Sequence, residues 1–481
     1  MEAHYKTYQI WIKKGHRMYA YFQEMGQNAK KMYNTTNFYI RQVYTAHTQE
    51  KKLQPLQREV LETIKHKLDQ MNEVRLAAYQ KRMDREKTKP VEQRKEGTCN
   101  LFQLPSKDNP YMDYPFLDSL FKAMAQNDYR SLPTQTSQWV IKTVFQNWKS
   151  YFGSLQTYKQ DPSVFRGRPK IPKYSDSPQK EVLFTNQDCV VKENKFLKFP
   201  KTKKRLNIGK LGVTKGKLKQ VRIIPKYGQF ILEIVVEVSL ELPKRTETNH
   251  LMAIDLGIEN LATMVTNTGS APLLVKGKHV KSINQYYNKR KAYYVSRLRQ
   301  GKHPSEGSFI SKRLERIHQK RQQKLKDIFH KASFHIVNLA ISEKVDTIII
   351  GRNKDWKQAS RLGKRNNQSF VHVPHHRLIR MIEYKAMEKG IDVVTMEESY
   401  TSKASFVDHD PIPTYGENDS KQLFSGKRIK RGLYQTKQGK WLNADVNGAA
   451  NILKKAYLHQ NEDGRFDIQT VNVWNPQSKV V

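Results

Sequence analysis

Tyr5, Tyr8, Ile10 and Ile12 lie among Lys and Gln at the start of the chain, a pattern that predicts a β-strand. Helical periodicity then takes over. In residues 53–83, Leu56, Val60, Ile64, Leu68 and Met71 recur three and four apart, giving one apolar stripe and a charged opposite face. Residues 84–110 are polar and predict a loop. A second helix is predicted over Ser137–Phe152, with Trp139, Val140, Val144, Trp148 and Tyr151 on its apolar side and Gly153 as its stop. These aromatics read as core rather than as base-stacking groups. Two prolines within residues 165–174 exclude regular helix there. Short β-runs follow at Val182–Thr185, Phe196–Phe199 and Val221–Ile224, and a turn at Tyr227-Gly228 leads into a long strand, Phe230–Val238. This reads as a small basic β-barrel with the helices of residues 20–150 inserted after its first strand. A polar stretch at 243–249 marks the next boundary.

From residue 250 the pattern is α/β. Strand 251–255 runs through a glycine turn into a returning strand. Residues 281–341 predict a long helical hairpin broken around Gly301–Gly307. An apolar strand around Thr347–Ile350, a helix from Pro374 to Gly390 and a strand over 391–396 form a βαβ unit, hence parallel strands joined by a right-handed crossover. Residues 401–443 are turn-rich and predict a loop or minidomain, and the tail after about residue 460 is expected to lack order.

Charge narrows the partner. Lys and Arg total 86 against 45 Asp and Glu, a net charge of +41 over 481 residues. Such an excess repels itself in a folded chain unless a polyanion neutralises it. No run approaches the roughly 20 apolar residues of a membrane span, and residues 1–20 lack a signal-peptide apolar core. Nucleic acid is therefore the expected partner rather than a membrane. Two unpatterned cysteines, Cys99 and Cys189, fit a reducing cytosol and exclude a disulfide framework or a cysteine-based zinc site. Within residues 281–331, fifteen Lys and Arg face three acidic residues. Like charges at helical spacing destabilise each other, so this hairpin is expected to contact phosphate.

Three acidic residues stand out against this background. Asp255 ends the apolar run 251–254, Glu398 follows the run 391–396, and Asp445 opens a small-residue helix containing Gly448, Ala449 and Ala450. Carboxylates on rigid elements can hold hard Mg²⁺ ions, and two such ions about 3.5–4 Å apart clamp the attacking and leaving oxygens of a phosphoryl displacement. Alternation sets Ala253 and Asp255 on one face of their strand and Met252 and Ile254 on the other. Asp445 has a second reading, as the N-cap of its helix.

Ala253-Ile254-Asp255-Leu256-Gly257-Ile258-Glu259-Asn260-Leu261-Ala262-Thr263 and Asn443-Ala444-Asp445-Val446-Asn447-Gly448-Ala449-Ala450-Asn451-Ile452 resemble the first and third RuvC motifs of the TnpB family, transposon-encoded relatives of type V CRISPR effectors. The resemblance extends to His330–Ser333, Tyr400–Lys403 and the Gly-Arg-Pro-Lys segment 167–170. It implies an α/β RNase-H-like RuvC nuclease domain, a β-barrel wedge domain and an inserted helical recognition lobe. Drawn on this chain, the boundaries are a wedge first strand at 1–18, recognition lobe 19–155, wedge barrel 156–245, RuvC domain 246–400 with its basic hairpin 281–341, a target-nucleic-acid-binding minidomain 401–443, the last RuvC helix 444–460 and a tail 461–481. It further implies a cytoplasmic, nucleoid-associated prokaryotic protein that binds a guide RNA and a double-stranded DNA target. Catalysis and metal binding then fall to Asp255, Glu398 and Asp445, with Mg²⁺ as cofactor and Mn²⁺ able to substitute. Lys320, Arg321 and Lys324 in the hairpin, with Arg168, Lys170 and Lys173 in the proline-containing segment, are the candidate nucleic-acid contacts.

Two departures bear on activity. Most TnpB proteins carry the second catalytic Glu at the end of the strand matching 348–350, where this chain has Gly351 followed by Arg352 and Asn353. A sub-lineage and the eukaryotic Fanzor proteins place a Glu three residues before a Thr-Ser pair, which Glu398 matches; Glu397 is the adjacent alternative, and strand alternation favours Glu398. The family's four-cysteine zinc ribbon has no cysteines here, so residues 402–443 are expected to be zinc-free. An RNA-guided DNA endonuclease leads, against a nuclease-inactive RNA-guided repressor, a compact CRISPR effector using an array-derived guide, and, less favoured, a cut-and-paste transposase.

Overall fold

The computed structural model describes residues 4–50, 52–94, 97–213, 216–239, 248–303, 306, 308–352, 373–414, 423–460 and 470–481. It divides into two units, Met1–Ser239 and Leu240–Val481. Most of the boundary expected at 243–249, and Asn353 of the first departure, fall outside the described residues.

In the first unit, β1 (His4–Ile12) pairs antiparallel with β7 (Gln229–Val238), far along the chain, in a sheet ordered β1-β7-β6-β2 with β2 at Val182–Thr185 and β6 at Lys217–Lys226. A second sheet joins β3 (Val190–Lys192), β4 (Phe196–Lys198) and β5 (Arg205–Asn207). The expected barrel thus takes the form of two antiparallel sheets, with no ladder joining them among the described residues. Between β1 and β2 lie α1 (Tyr19–Thr48), α2 (Pro55–Lys87), α3 (Tyr114–Ala123), α4 (Asn127–Ser131) and α5 (Thr134–Gln160). Helix α5 does not stop at Gly153. One helical glycine costs about 1 kcal/mol, too little to end a helix anchored by buried Val140, Val144 and Trp148, and it ends instead before Asp161 and Pro162. On α2, Val60, Ile64 and Met71 are buried as the stripe predicted, but Leu56 is 53% exposed in the first turn.

In the second unit, a six-stranded sheet runs in the order β12-β11-β8-β9-β10-β16. Strands β8 (Leu251–Asp255), β9 (Asn260–Thr266) and β10 (Leu273–Lys276) form an antiparallel meander. Then β11 (Thr347–Gly351) lies parallel to β8, and β12 (Asp392–Met396) parallel to β11. Helices α6 (Lys278–Arg299) and α7 (Lys312–Ser342) form the predicted hairpin, and α8 (His375–Met387) supplies the crossover. One face of the sheet, with Met252, Ile254, Ile348 and Ile350, packs with Phe329 and Ile336 of α7 and Leu378 and Ile382 of α8. The other face, with Ala253 and Ile349, packs with Val446, Ala449 and Leu453 of α9 (Ala444–Gln460). Segment 401–443 carries a small antiparallel sheet of β13 (Lys427–Lys430), β14 (Leu433–Gln435) and β15 (Trp441–Asn443). The tail is not wholly without regular structure: β16 (Gln477–Lys479) pairs parallel with β10, while 461–469 lie outside the described residues.

Candidate active site

Parallel pairing brings three strand ends to one edge. Ile254 pairs with Ile350, and Gly351 with Met396, so Asp255, Gly351 and Met396 stand in a row where β8, β11 and β12 finish. Asp255 points toward α9: a Cβ on Gly448 would lie 2.9 Å from its Oδ2. Glycine at 448 is thus what admits the carboxylate. Beyond Met396 the chain turns back over β11, so that a Cβ on Gly351 would lie 2.7 Å from Glu398 Oε2 and 2.4 Å from Ile452 Cδ1. The space beside the end of β11 is filled by the carboxylate of a residue two places past β12.

Asp445 is not a helix cap. That role falls to Asn443, whose Oδ1 accepts from the backbone N–H groups of Asp445 (3.0 Å) and Val446 (3.2 Å). Asp445 sits in the first turn with both oxygens engaged: Oδ2 accepts from Asn260 Nδ2 at 2.8 Å, and Oδ1 faces Arg428 Nη2 at 3.3 Å. Asn260 is itself oriented by Lys276 Nζ, which donates to its Oδ1 at 3.2 Å. Asp255, Glu398 and Asp445 line one cleft of about 670 Å³, together with Asn260, Arg428 and Arg431. Burial, then the carboxylates of Glu398 and Asp445, push Asp255 well above the usual carboxylate range, with Arg428 opposing. Glu397 faces elsewhere. It accepts from Ser399 N at 2.8 Å and pairs with Lys455; burial pushes its carboxyl up, but these donors outweigh it and hold it below its ordinary value.

Three hard oxygen donors, two of which push up the pKa of Asp255, suit a divalent cation, and the residues present fit Mg²⁺ in kind. Among the described residues no group of three His, Cys, Asp or Glu side chains stands close enough to hold an ion as placed.

Two asparagines fix the loop that carries Glu398. Thr401 caps the turn through its hydroxyl, which donates to Glu398 O at 2.8 Å. Asn451 Nδ2 donates to Thr401 O (2.8 Å) and Ala404 O (2.7 Å), while Asn447 bonds Ala404 O and Phe406 N. One turn apart on α9, they staple 401–406 against the helix bearing Asp445. In the minidomain, Asp410 accepts from the backbone N–H groups of Ser405 (2.7 Å) and Ser425 (3.0 Å), joining two distant stretches of chain.

The predicted nucleic-acid residues divide. Lys320 and Lys324 are exposed on α7, whereas Arg321 turns to α6, donating from Nε to buried Asn284 at 2.7 Å and lying over the Tyr287 ring. Arg168, Lys170 and Lys173 are exposed in the first unit, and the two lysines line a cleft of about 370 Å³ with Tyr33, Asn147 and Tyr151.

Residues 233–357 match the family profile described as probable transposase (OrfB_IS605), and 375–452 match the Cas12f1-like TNB domain. Over these segments the chain is similar to the TnpB family and to Cas12f1. Its C-terminal half carries that kinship. It is 29% identical over 211 residues to the TnpB-like protein ORF457 of Acidianus two-tailed virus, covering 43% of this chain and 42% of that protein. It is 28% identical over 213 residues to the CRISPR-associated endodeoxyribonuclease Cas12f1 of Sulfoacidibacillus thermotolerans, covering 43% and 46%. The matches thus span under half the length of these relatives. Among solved structures, a Cas12f1–sgRNA–target DNA complex aligns over 94% of this chain and 98% of that one at 11% identity, with a TM-score of 0.43. That likeness is too loose to add to the argument. No helix among the described residues is long and apolar enough to cross a membrane.

Proposed function

We propose that the protein is an RNA-guided DNA endonuclease with one RuvC-type site formed by Asp255, Glu398 and Asp445. The observation that carries this reading is the cleft they share, at the ends of β8 and β12 and the start of α9, within a chain of net charge +41. On this reading the second unit is the RNase-H-like nuclease and the first the wedge and recognition lobe. Guide pairing selects the sequence, while the protein holds the backbone and reads a short motif beside the target.

When bound, Mg²⁺ supplies charge neutralisation and a nucleophile at neutral pH. Asp255, Glu398 and Asp445 would hold it, and the chain's own residues do the rest. Asn260 orients Asp445, Arg428 supplies positive charge at the cleft, and Glu397, paired with Lys455, stays out of it. Asp255→Ala, Glu398→Ala and Asp445→Ala should each abolish Mg²⁺- or Mn²⁺-dependent cleavage of a guide-matched duplex while leaving guided binding intact, and Glu397→Ala should be far milder. Full activity in Glu398→Ala with loss in Glu397→Ala would overturn the assignment. Guided binding without cleavage by the unaltered protein would favour the repressor reading. RNA sequencing of the purified protein should return a bound guide, and cleavage by RNA-free protein would refute guidance.

A further inference from the structure

Helix α6 carries two tyrosine doublets seven residues apart, Tyr286-Tyr287 and Tyr293-Tyr294, and the structure uses only the second member of each in the hairpin. Tyr287 meets His318 Nδ1 of α7 through its hydroxyl at 3.0 Å and lies beneath the Arg321 guanidinium. Tyr294 takes the Arg290 guanidinium and lies beneath Arg313 of α7. The first members face outward: Tyr286 is 65% and Tyr293 51% exposed. Seven residues at 1.5 Å rise set them about 10.5 Å apart on one face. Lys289 is exposed between them, Arg297 is exposed one turn beyond, and Arg290 and Arg297 lie 5.9 and 5.8 Å from the Tyr293 ring centre.

We propose that this face binds single-stranded DNA, with bases stacked on Tyr286 and Tyr293 and phosphates on Lys289 and Arg297. An exposed ring presents its π-face only to a base that is itself unstacked, so the tyrosines select a single strand, whereas lysines and arginines alone would serve duplex and single strand alike. The surplus of fifteen cationic over three acidic residues across 281–331 matches a polyanion and disfavours an apolar protein partner. The choice of DNA over RNA rests on the proposed nuclease reading, because guide pairing displaces one DNA strand and the carboxylate cleft lies in the same unit.

Protein freed of RNA by nuclease and a high-salt wash is titrated by fluorescence anisotropy with oligo(dU), oligo(U) and a duplex of equal length, without guide or metal. Tyr286→Ala and Tyr293→Ala should each weaken oligo(dU) binding by about tenfold, leave duplex binding unchanged and leave the salt dependence of log Kd unaltered. The phenylalanine variants should bind as the unaltered protein does. Lys289→Gln with Arg297→Gln should instead flatten the salt slope by about 1.4, at roughly 0.7 per charge for a single strand. Iodouracil-substituted oligo(dU) should photocrosslink to residues 286 and 293. Equal losses on duplex and single strand, no loss in the alanine variants, or tighter binding of oligo(U) than oligo(dU) would each overturn the proposal. None of these readouts depends on cleavage, so the stacking face can fail while the carboxylate site stands, or stand while that site fails.

Discussion

Gly351→Ala tests whether the end of β11 is the place where Glu398 works. The added Cβ would lie 2.4 Å from Ile452 Cδ1 and 2.7 Å from Glu398 Oε2, against about 3.4 Å for the near edge of ordinary contact. The shortfalls are about 1.0 and 0.7 Å. Ile452 belongs to the buried wall of α9, whereas Glu398 sits on a turn past the end of β12, so the carboxylate moves more easily than the isoleucine. Overpacking of this kind costs about 1–3 kcal/mol, and misplacing a reacting group by about 1 Å costs about a hundredfold in rate. We therefore expect a lowered melting temperature, a cleavage rate down by about a hundredfold and guided binding intact. Adding Ile452→Val removes the Cδ1 contact alone, which should recover most of the stability and little of the rate. Thermal melts and single-turnover cleavage of a labelled duplex read the two effects apart. Full cleavage by Gly351→Ala would refute the argument, and so would joint recovery of stability and rate in the double variant, because the loss would then have travelled through α9.

Four further outcomes follow from the same geometry. With its carboxyl pKa raised, Asp255 favours the metal-free fold when protonated; that contribution is complete below the ordinary aspartate value of about 3.9 and is lost as pH climbs through the raised one. In chelator, Asp255→Asn should thus be the more stable protein at neutral pH, its advantage shrinking toward acid, and parallel melting profiles would contradict this. Asn260→Ala frees Asp445 Oδ2 and removes the partner of Lys276; loss of such outer support costs about 10–100-fold, read as a raised half-saturating Mg²⁺ concentration or a lower rate, and unchanged metal dependence would assign Asn260 to packing alone. Lys320→Gln with Lys324→Gln should flatten the salt dependence of nucleic-acid binding without changing the melting temperature, whereas Arg321→Ala should destabilise the hairpin by about 1–3 kcal/mol by stranding buried Asn284.

The strands and helices of the second unit were legible because their cores alternate or repeat cleanly. The run 251–254 and the isoleucines 348–350 could only be buried strands, and the βαβ order then placed their ends together. What the sequence hid were relations between distant residues. Asp445 carried two readings, as a metal ligand and as an N-cap, and nothing local showed that Asn443 two places earlier does the capping while Asp445 lines the cleft. Arg321 read as one charge among fifteen, and nothing local marks it as the member that turns inward to Asn284. Arg428 carried no signal, since its position depends on the β13–β14 hairpin folding back toward α9. Gly153 misled in the opposite sense: a helix's end is set by whether its next turn can be buried and bonded, and glycine alone does not forbid that. Asn447 and Asn451 were readable in principle, because two asparagines four apart on an apolar helix need partners, and loop carbonyls supply them.

The placement of Glu398 shows why the glutamate and the glycine belong together. Strands β11 and β12 are parallel neighbours, so a carboxylate rooted past the end of either can reach the same point beside Asp255. A side chain at 351 and the carboxylate of Glu398 cannot both occupy that point, and Ile452 closes the remaining room. A glutamate at 351 would therefore require two other changes: withdrawal of Glu398 and a smaller residue in place of Ile452. Each single step between the two arrangements passes through a clash or through a site lacking its third carboxylate. That barrier follows from close packing. Residues 351, 398 and 452 are therefore packed as one unit, in which the glycine leaves the room that the Glu398 carboxylate fills.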